Sequence, residues 1–192
     1  VQIQRGVGLS TNGAGAFGAS VNMATSVPSS DPYTAIDASY GSYNSYKATL
    51  RLGTGLLHDH WSADFRLSKL GSDGYIERAK SNLWSYFGQI AYENVGTRLR
   101  FLSFGGKQKT YMAWDYASAE MAEYGRRYNP CGKYTDSEGN TAYYQNQNDN
   151  YTQYHFHLLL GQRLGDKWYM NAGLHYTKGD GYYEQYKTSR TL

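Results

Sequence analysis

YKATLRLGTGL, Tyr46 to Leu56, is the stretch whose reading decides the fold class. Its even positions Tyr46, Ala48, Leu50, Leu52 and Leu56 are apolar, while the odd positions Lys47, Thr49, Arg51, Gly53 and Gly55 are charged, polar or bare. A period of two means an extended strand with one greasy face and one wet face. Working outward, Trp61, Ala63, Phe65 and Leu67 alternate with Ser62, Asp64, Arg66 and Ser68. Trp84, Tyr86, Gly88, Ile90 and Tyr92 alternate with Ser85, Gln89 and Glu93, with Phe87 and Ala91 as exceptions. Thr97 to Lys107 sets Leu99 and Phe101 against Arg98 and Arg100, and Leu102 and Phe104 blur its outer half. Tyr154, Phe156, Leu158 and Leu160 oppose His155, His157 and Arg163, and Trp168, Met170, Ala172, Leu174 and Tyr176 oppose Tyr169, Asn171, Gly173 and His175. With a shorter strand near Ala35 to Tyr40, the expectation is an all-β antiparallel meander of about seven strands.

The connections alternate too. Short turns at His58–His60, Asn94–Gly96 and Gly165–Lys167 take every second position, and longer polar loops occupy Ser72–Ser81 and Thr110–Asn150. Tight turns therefore belong at one end of the sheet and large loops at the other. Segments of roughly 11 to 15 residues match a tilted membrane-crossing strand, whereas soluble strands average about 5 or 6. Trp61, Trp84, Tyr92, Trp168 and Tyr176 sit near strand ends, where a transmembrane β-barrel carries its aromatic girdles. A soluble sandwich would also alternate, with its faces turned to core and water.

Composition bounds the rest. The 192 residues include 22 Gly and 21 Tyr, which suit strands and turns better than helices. Nineteen basic and 16 acidic residues are spread without a basic run, which argues against a nucleic-acid partner. The single cysteine, Cys131, excludes an intrachain disulfide framework and reads as a lone loop thiol. No apolar stretch of about 18 residues exists for a membrane-spanning helix. The chain begins at Val1 without Met, as expected of a fragment or processed product.

The first stretch, Val1 to Met23, holds Gly6, Gly8, Gly13, Gly15 and Gly18 between two β-leaning pieces, Val1–Ile3 and Ala19–Met23. Gly13, Gly15 and Gly18 match the dinucleotide fingerprint in spacing, but a phosphate cradle needs a helix directly after the last glycine, and Ala19–Met23 is strand-like. The stretch reads as the tail of a separate unit.

RGVGLSTNGAGAFGASVNM, followed by YGSYNSYKATLRLGTG, resembles the plug-to-barrel junction of TonB-dependent outer-membrane receptors, in particular those of Bacteroidetes type. KLGSDGYIERA, GKQKTYMAWDY, RRYNPCGKYTD, NQNDNYTQYHFHLLL and HYTKGDGYYEQYK are similar to segments of the first barrel third. The resemblance implies that residues 1–27 end a plug domain and 28–192 open a barrel of about 22 strands in the outer membrane of a Gram-negative bacterium. It implies import of a scarce nutrient (ferric siderophore, haem, cobalamin or glycan) driven by the TonB-ExbB-ExbD complex, with no cofactor and no covalent chemistry. The chain holds only the last plug residues and no TonB box. A passive porin, a surface adhesin or a soluble aromatic-rich lectin are the alternatives.

On this reading Arg5, Arg51, Arg66, Arg98 and Arg100 face the plug interface or lumen, bonding plug carboxylates or drawing in an anionic substrate. Tyr111, Trp114, Tyr116, Tyr124, Tyr128, Tyr134, Tyr143 and Tyr144 are the candidate substrate-binding residues of an extracellular loop, by stacking beside amides; the same loop could equally be a folded cap over the barrel mouth. His155, His157 and His175 share one face and are weak metal candidates, imidazole being commoner in a wet lumen for solvation. Ser10, Asp64 and His157 form a hydrolase triad only on paper, without a nucleophile elbow.

Overall fold

A computed structural model describes residues 2–5, 19–22, 29–115 and 118–187. Strands β1 (Gln2–Arg5) and β2 (Ala19–Asn22) form an antiparallel two-stranded sheet of their own. The glycine run between them lies outside the described residues. A strand follows Gly18, so the helix that a dinucleotide cradle requires is not there.

The main sheet is an antiparallel meander of seven strands: β3 (Pro32–Gly41), β4 (Ser45–Thr54), β5 (Trp61–Ser72), β6 (Ser81–Glu93), β7 (Thr97–Tyr111), β10 (Asn148–Leu164) and β11 (Trp168–Tyr183). The connection after β7 carries the helix α1 (Ala119–Tyr124) and a small hairpin, β8 (Lys133–Thr135) with β9 (Thr141–Tyr143). All seven expected strands are present, but β3 begins at Pro32 rather than Ala35, β7 reaches Tyr111, β10 starts at Asn148 and β11 runs on to Tyr183. These extensions are largely polar and scatter their tyrosines over both faces, so no hydrophobic period marks them; ladder pairing alone defines them.

Register sorts the side chains into two faces. Thr34, Leu52, Phe65, Gly88, Ser103, Phe156 and Tyr176 form one row of the apolar face, and Thr49, Ser68, Ser85, Gly106 and Gln153 one row of the polar face. Away from its loop end, the sheet's deeply covered side chains are Ser62, Phe87, Gln89 and Ala91, and all four lie on the polar face. Nothing is layered on that face among the described residues; its own side chains, such as Arg66 and Phe104 against Phe87, crowd together, as on the concave side of a curved sheet. Phe87 and Ala91, the two exceptions to the alternation, occupy this crowded centre. On the convex face Ile36, Trp168 and Leu174 are 75%, 76% and 71% exposed.

The apolar band on the convex face runs obliquely to the rows. Ala38 is in register, through Ala48, Lys69, Trp84, Lys107 and Thr152, with Asp180. Yet the apolar run of β3 centres on Ala38 and that of β11 on Ala172, about eight residues lower. At ~3.4 Å per residue and ~4.8 Å between strands, that drift across six intervals is a slope of about 40° between the strands and the band's normal.

Tyrosine and glycine abundance has a shared cause. The ring of Tyr33 lies where a side chain on its cross-strand partner Gly53 would be, and Tyr46 covers Gly71 in the same way, as do Tyr151 over Gly181 and Tyr154 over Gly105. Each ring fills the gap its glycine leaves on the pleat. Ser42–Ser45 and Leu57–His60 are two-residue turns with positive φ at both central positions, Tyr43 and Asn44 (59° and 51°) and His58 and Asp59 (50° and 60°), the primed geometry that suits strand twist. The first of these is a departure: it is a tight turn at the end of the sheet that holds the long loops.

Candidate functional site

Two regions collect chemistry: the concave face and the cap made by the long connections. On the concave face Arg51 and Arg66 stand directly opposite each other. Arg51 pairs with Asp37 at 2.8 Å, while the Arg66 guanidinium lies 5.7 Å from the Phe87 ring centroid and has no carboxylate partner among the described residues. With Lys47, Thr49 and Ser68 they line a hollow of about 410 Å³, in which three cations face one acid. Arg98 and Arg100 both reach Glu93 at 3.0 Å. Further along, Asp64 accepts from Tyr33 Oη and Gln89 Nε2, both at 2.9 Å, and Gln89 Oε1, buried, has no partner among the described residues. Four of the five candidate arginines thus share the concave face; Arg5 ends β1, and its side chain lies outside the described residues.

His155, His157 and His175 also share this face, but Phe104 stacks on His155 at 4.7 Å and meets His157 edge-on at 5.3 Å. His155 Nδ1 is 3.0 Å from Thr177 Oγ1. Among the described residues no group of three His, Cys, Asp or Glu side chains is placed to hold a metal; His155 and His157 pack on Phe104, and His157 also meets His175 edge-on at 6.3 Å. Asp64 and His157 are three strands apart by register, about 14 Å, so the paper triad does not assemble; Ser10 is outside the described residues.

The cap is where the molecule buries side chains completely: Asn129, Cys131 and Gln147 are its most enclosed. Asn129 Nδ2 donates to the carbonyls of Glu77 (3.0 Å) and Met112 (3.1 Å), and its Oδ1 accepts from Cys131 N (3.0 Å). Gln147 O accepts from Met112 N, and Gln147 Oε1 from Tyr186 N. Arg127 Nε donates to Tyr75 O at 2.7 Å while its guanidinium covers Tyr43 at 5.0 Å, and Arg78 lies 3.6 Å over Tyr143 and bonds Asn129 O. The turn 42–44, the loop 73–80, the long connection and residues 184–187 are therefore locked together.

Within this cap the aromatic candidates divide. Tyr111 closes β7, is 6% exposed and donates to Tyr144 O at 2.9 Å, so its ring is a post rather than a free surface. Trp114 is half exposed, edge-on to Tyr183 at 6.0 Å. Tyr134 and Tyr144 pack on Tyr186 at 4.6 and 5.8 Å, and the Tyr144 hydroxyl bonds Glu184, which raises its pKa. Tyr128 lies beside Tyr143, whose pKa rises chiefly through burial. Tyr116, and the side chain of Tyr124, lie outside the described residues. Beside Tyr186 a polar hollow of about 320 Å³ is lined by Asp115, Gly132, Lys133, Gln147, Gln185 and Lys187. Cys131 Sγ donates to Asp115 Oδ2 at 3.2 Å behind it. Sequence reading missed Asn129, Gln147, Arg78, Arg127 and Tyr186; amides and guanidiniums in polar loops carry no local mark of the carbonyls they will meet.

No family model, curated protein or solved structure matches the chain.

Proposed function

We propose that the chain is the plug end (1–27) and the first strands (28–192) of a TonB-dependent outer-membrane importer, whose substrate is captured at the cap. The observation that carries this reading is the oblique apolar band. Its slope of about 40° matches the 35–45° tilt of strands in an outer-membrane barrel, where a band level with the bilayer must cross the hydrogen-bond rows at the tilt angle. Aromatic rings bound it: Trp61, Tyr92 and Trp168 at the turn end, Tyr40, Tyr46, Trp84 and Tyr176 toward the loops. The strands, 10 to 17 residues long, meet or exceed the ~9–11 residues that a tilted crossing needs. A concave face rich in arginine and amides suits a wet lumen holding a plug, and large connections gathered at one end suit the outside.

The test is collision accessibility of nitroxides in the full-length parent reconstituted in bilayers. Labels at Leu50, Leu67, Leu158 and Leu174 are expected to meet oxygen, and labels at Thr49, Arg66 and His157 a water-soluble nickel chelate. Equal aqueous access on both faces overturns the membrane reading. Nutrient uptake that persists in cells lacking TonB replaces the importer with a passive porin.

A further inference from the structure

The convex face is electrically lopsided. At its loop end, just beyond the apolar band, stand Lys69, Lys107, Lys109 and Lys178, with Asp180 the acid among them. At its turn end Trp61, Tyr92, Thr97, Gln162, Leu164 and Trp168 carry no charge. None of the four lysines has a carboxylate within ion-pair distance among the described residues; Lys69 donates to Asn82, and Lys107, Lys109 and Lys178 are exposed.

Register gives the cluster a shape. Lys69 and Lys107 flank Trp84 in one row, roughly 10 Å apart, with Lys109 in the row above and Lys178 in the row below. Trp84, Tyr86 and Tyr154 run among them as a ladder with 6.2 Å between successive ring centroids, Trp84 in the row of Lys69 and Lys107 and Tyr154 in that of Lys178. Lysines interspersed with an aromatic ledge, at the edge of an apolar surface, match an amphiphile that carries phosphate at the boundary between headgroup and hydrocarbon.

We propose that this lysine cluster is a binding site for the phosphorylated headgroup of a membrane lipid in the leaflet at the loop end. The proposal rests on the convex face being membrane-facing, and charge complementarity at one end of it selects the occupant. Each ammonium contributes by attraction to phosphate, and removal of one lowers lipid retention about fivefold.

The experiment uses the full-length parent in nanodiscs of phosphatidylcholine containing a small fraction of bis-phosphorylated lipid A, with retained lipid counted by native mass spectrometry. Wild type is expected to retain lipid A above its bulk fraction, the variant K69Q/K107Q/K109Q/K178Q to retain it at the bulk fraction, and the control K47Q/K80Q/K167Q to behave as wild type. Enzymatically dephosphorylated lipid A is expected to show no enrichment. Equal enrichment in the quadruple variant, or of the dephosphorylated lipid, overturns the site. Failure of wild type to enter phosphatidylcholine discs at all removes the membrane reading itself, whereas insertion with no lipid A enrichment removes only the site.

Discussion

The seven-stranded sheet and the cap at its end are held together by opposite means. The sheet is the regular part of the molecule, yet it leaves Ile36, Ile90, Phe101 and Leu174 exposed on its convex side and has no second layer among the described residues. The cap is mostly irregular, yet it encloses Asn129, Cys131 and Gln147 almost completely. Ladder hydrogen bonds specify the sheet, but its free energy depends on what covers the apolar band, because uncovered apolar area is a cost rather than a gain. Side-chain amides bonded to backbone carbonyls specify the cap, and it carries its stability with it. Regularity and burial are separate properties here, and each region lacks what the other has.

The largest effect that can break this contrast lies on the convex face. On the proposed membrane reading, Leu67→Arg or Leu158→Arg is expected to cost about 2–4 kcal/mol of folding free energy in bilayers, and Thr49→Arg on the polar face far less. Denaturant titration of the full-length parent followed by tryptophan fluorescence measures both, and equal penalties would make the two faces equivalent. Asn129→Ala acts on the other region. It strips hydrogen bonds from two carbonyls and an amide, at about 2–3 kcal/mol. Hydrogen exchange is expected to rise across 73–80 and 112–147 while amides in β4–β6 keep their protection; a uniform rise would mean that cap and sheet open as one unit.

A smaller change sharpens the junction between the regions. Tyr111→Phe keeps the ring but removes the donor to Tyr144 O and Cys131 O, and is expected to loosen the cap by about 1 kcal/mol. Limited proteolysis within 112–147 reads it, and cleavage no faster than in wild type would deny Tyr111 its role as a post. The smallest effect is a pH dependence. Burial pushes the Cys131 thiol above its ordinary pKa, so the folded cap holds that proton more tightly than the opened one. Its contribution is fully present below the ordinary thiol pKa and is lost as pH rises from there through the folded value. Alkylation of Cys131 is accordingly expected to lag behind that of an unfolded control at mildly alkaline pH, and to catch up in the Asn129→Ala variant; alkylation at the control rate in wild type would show the thiol to be open.

How legible the molecule is depends on whether a contact is local. Leu50, Leu52, Phe65 and Leu67 announce a strand because the pleat makes side-chain facing a property of position parity, and parity is written in the chain. The same parity is enough to put Arg51, Arg66, Arg98 and Arg100 on one face. The outer ends of β7, β10 and β11 escaped, since Lys109, Thr152 and Lys178 face the same way as the apolar residues below them and break the pattern. The aromatics of the long loop read as a surface for a ligand. In the structure Tyr111 is a buried post and Tyr134 packs on Tyr186, a residue about fifty positions away, contacts that the loop's own sequence does not announce.

Period-two patterning and turn chemistry by themselves determined an all-β meander, the number of its strands, the sorting of its faces and the end at which its large loops gather. Only the tertiary structure decided the slope of the apolar band, because slope is the difference between two registers that no single strand contains. It alone decided that the polar side is the crowded one, that the imidazoles pack on Phe104 and on one another, and that the long connection folds down on Glu77 and Tyr75. Those outcomes hang on hydrogen bonds such as Asn129 to Glu77, 52 residues apart, and such a bond leaves no trace in the chemistry of either neighbourhood.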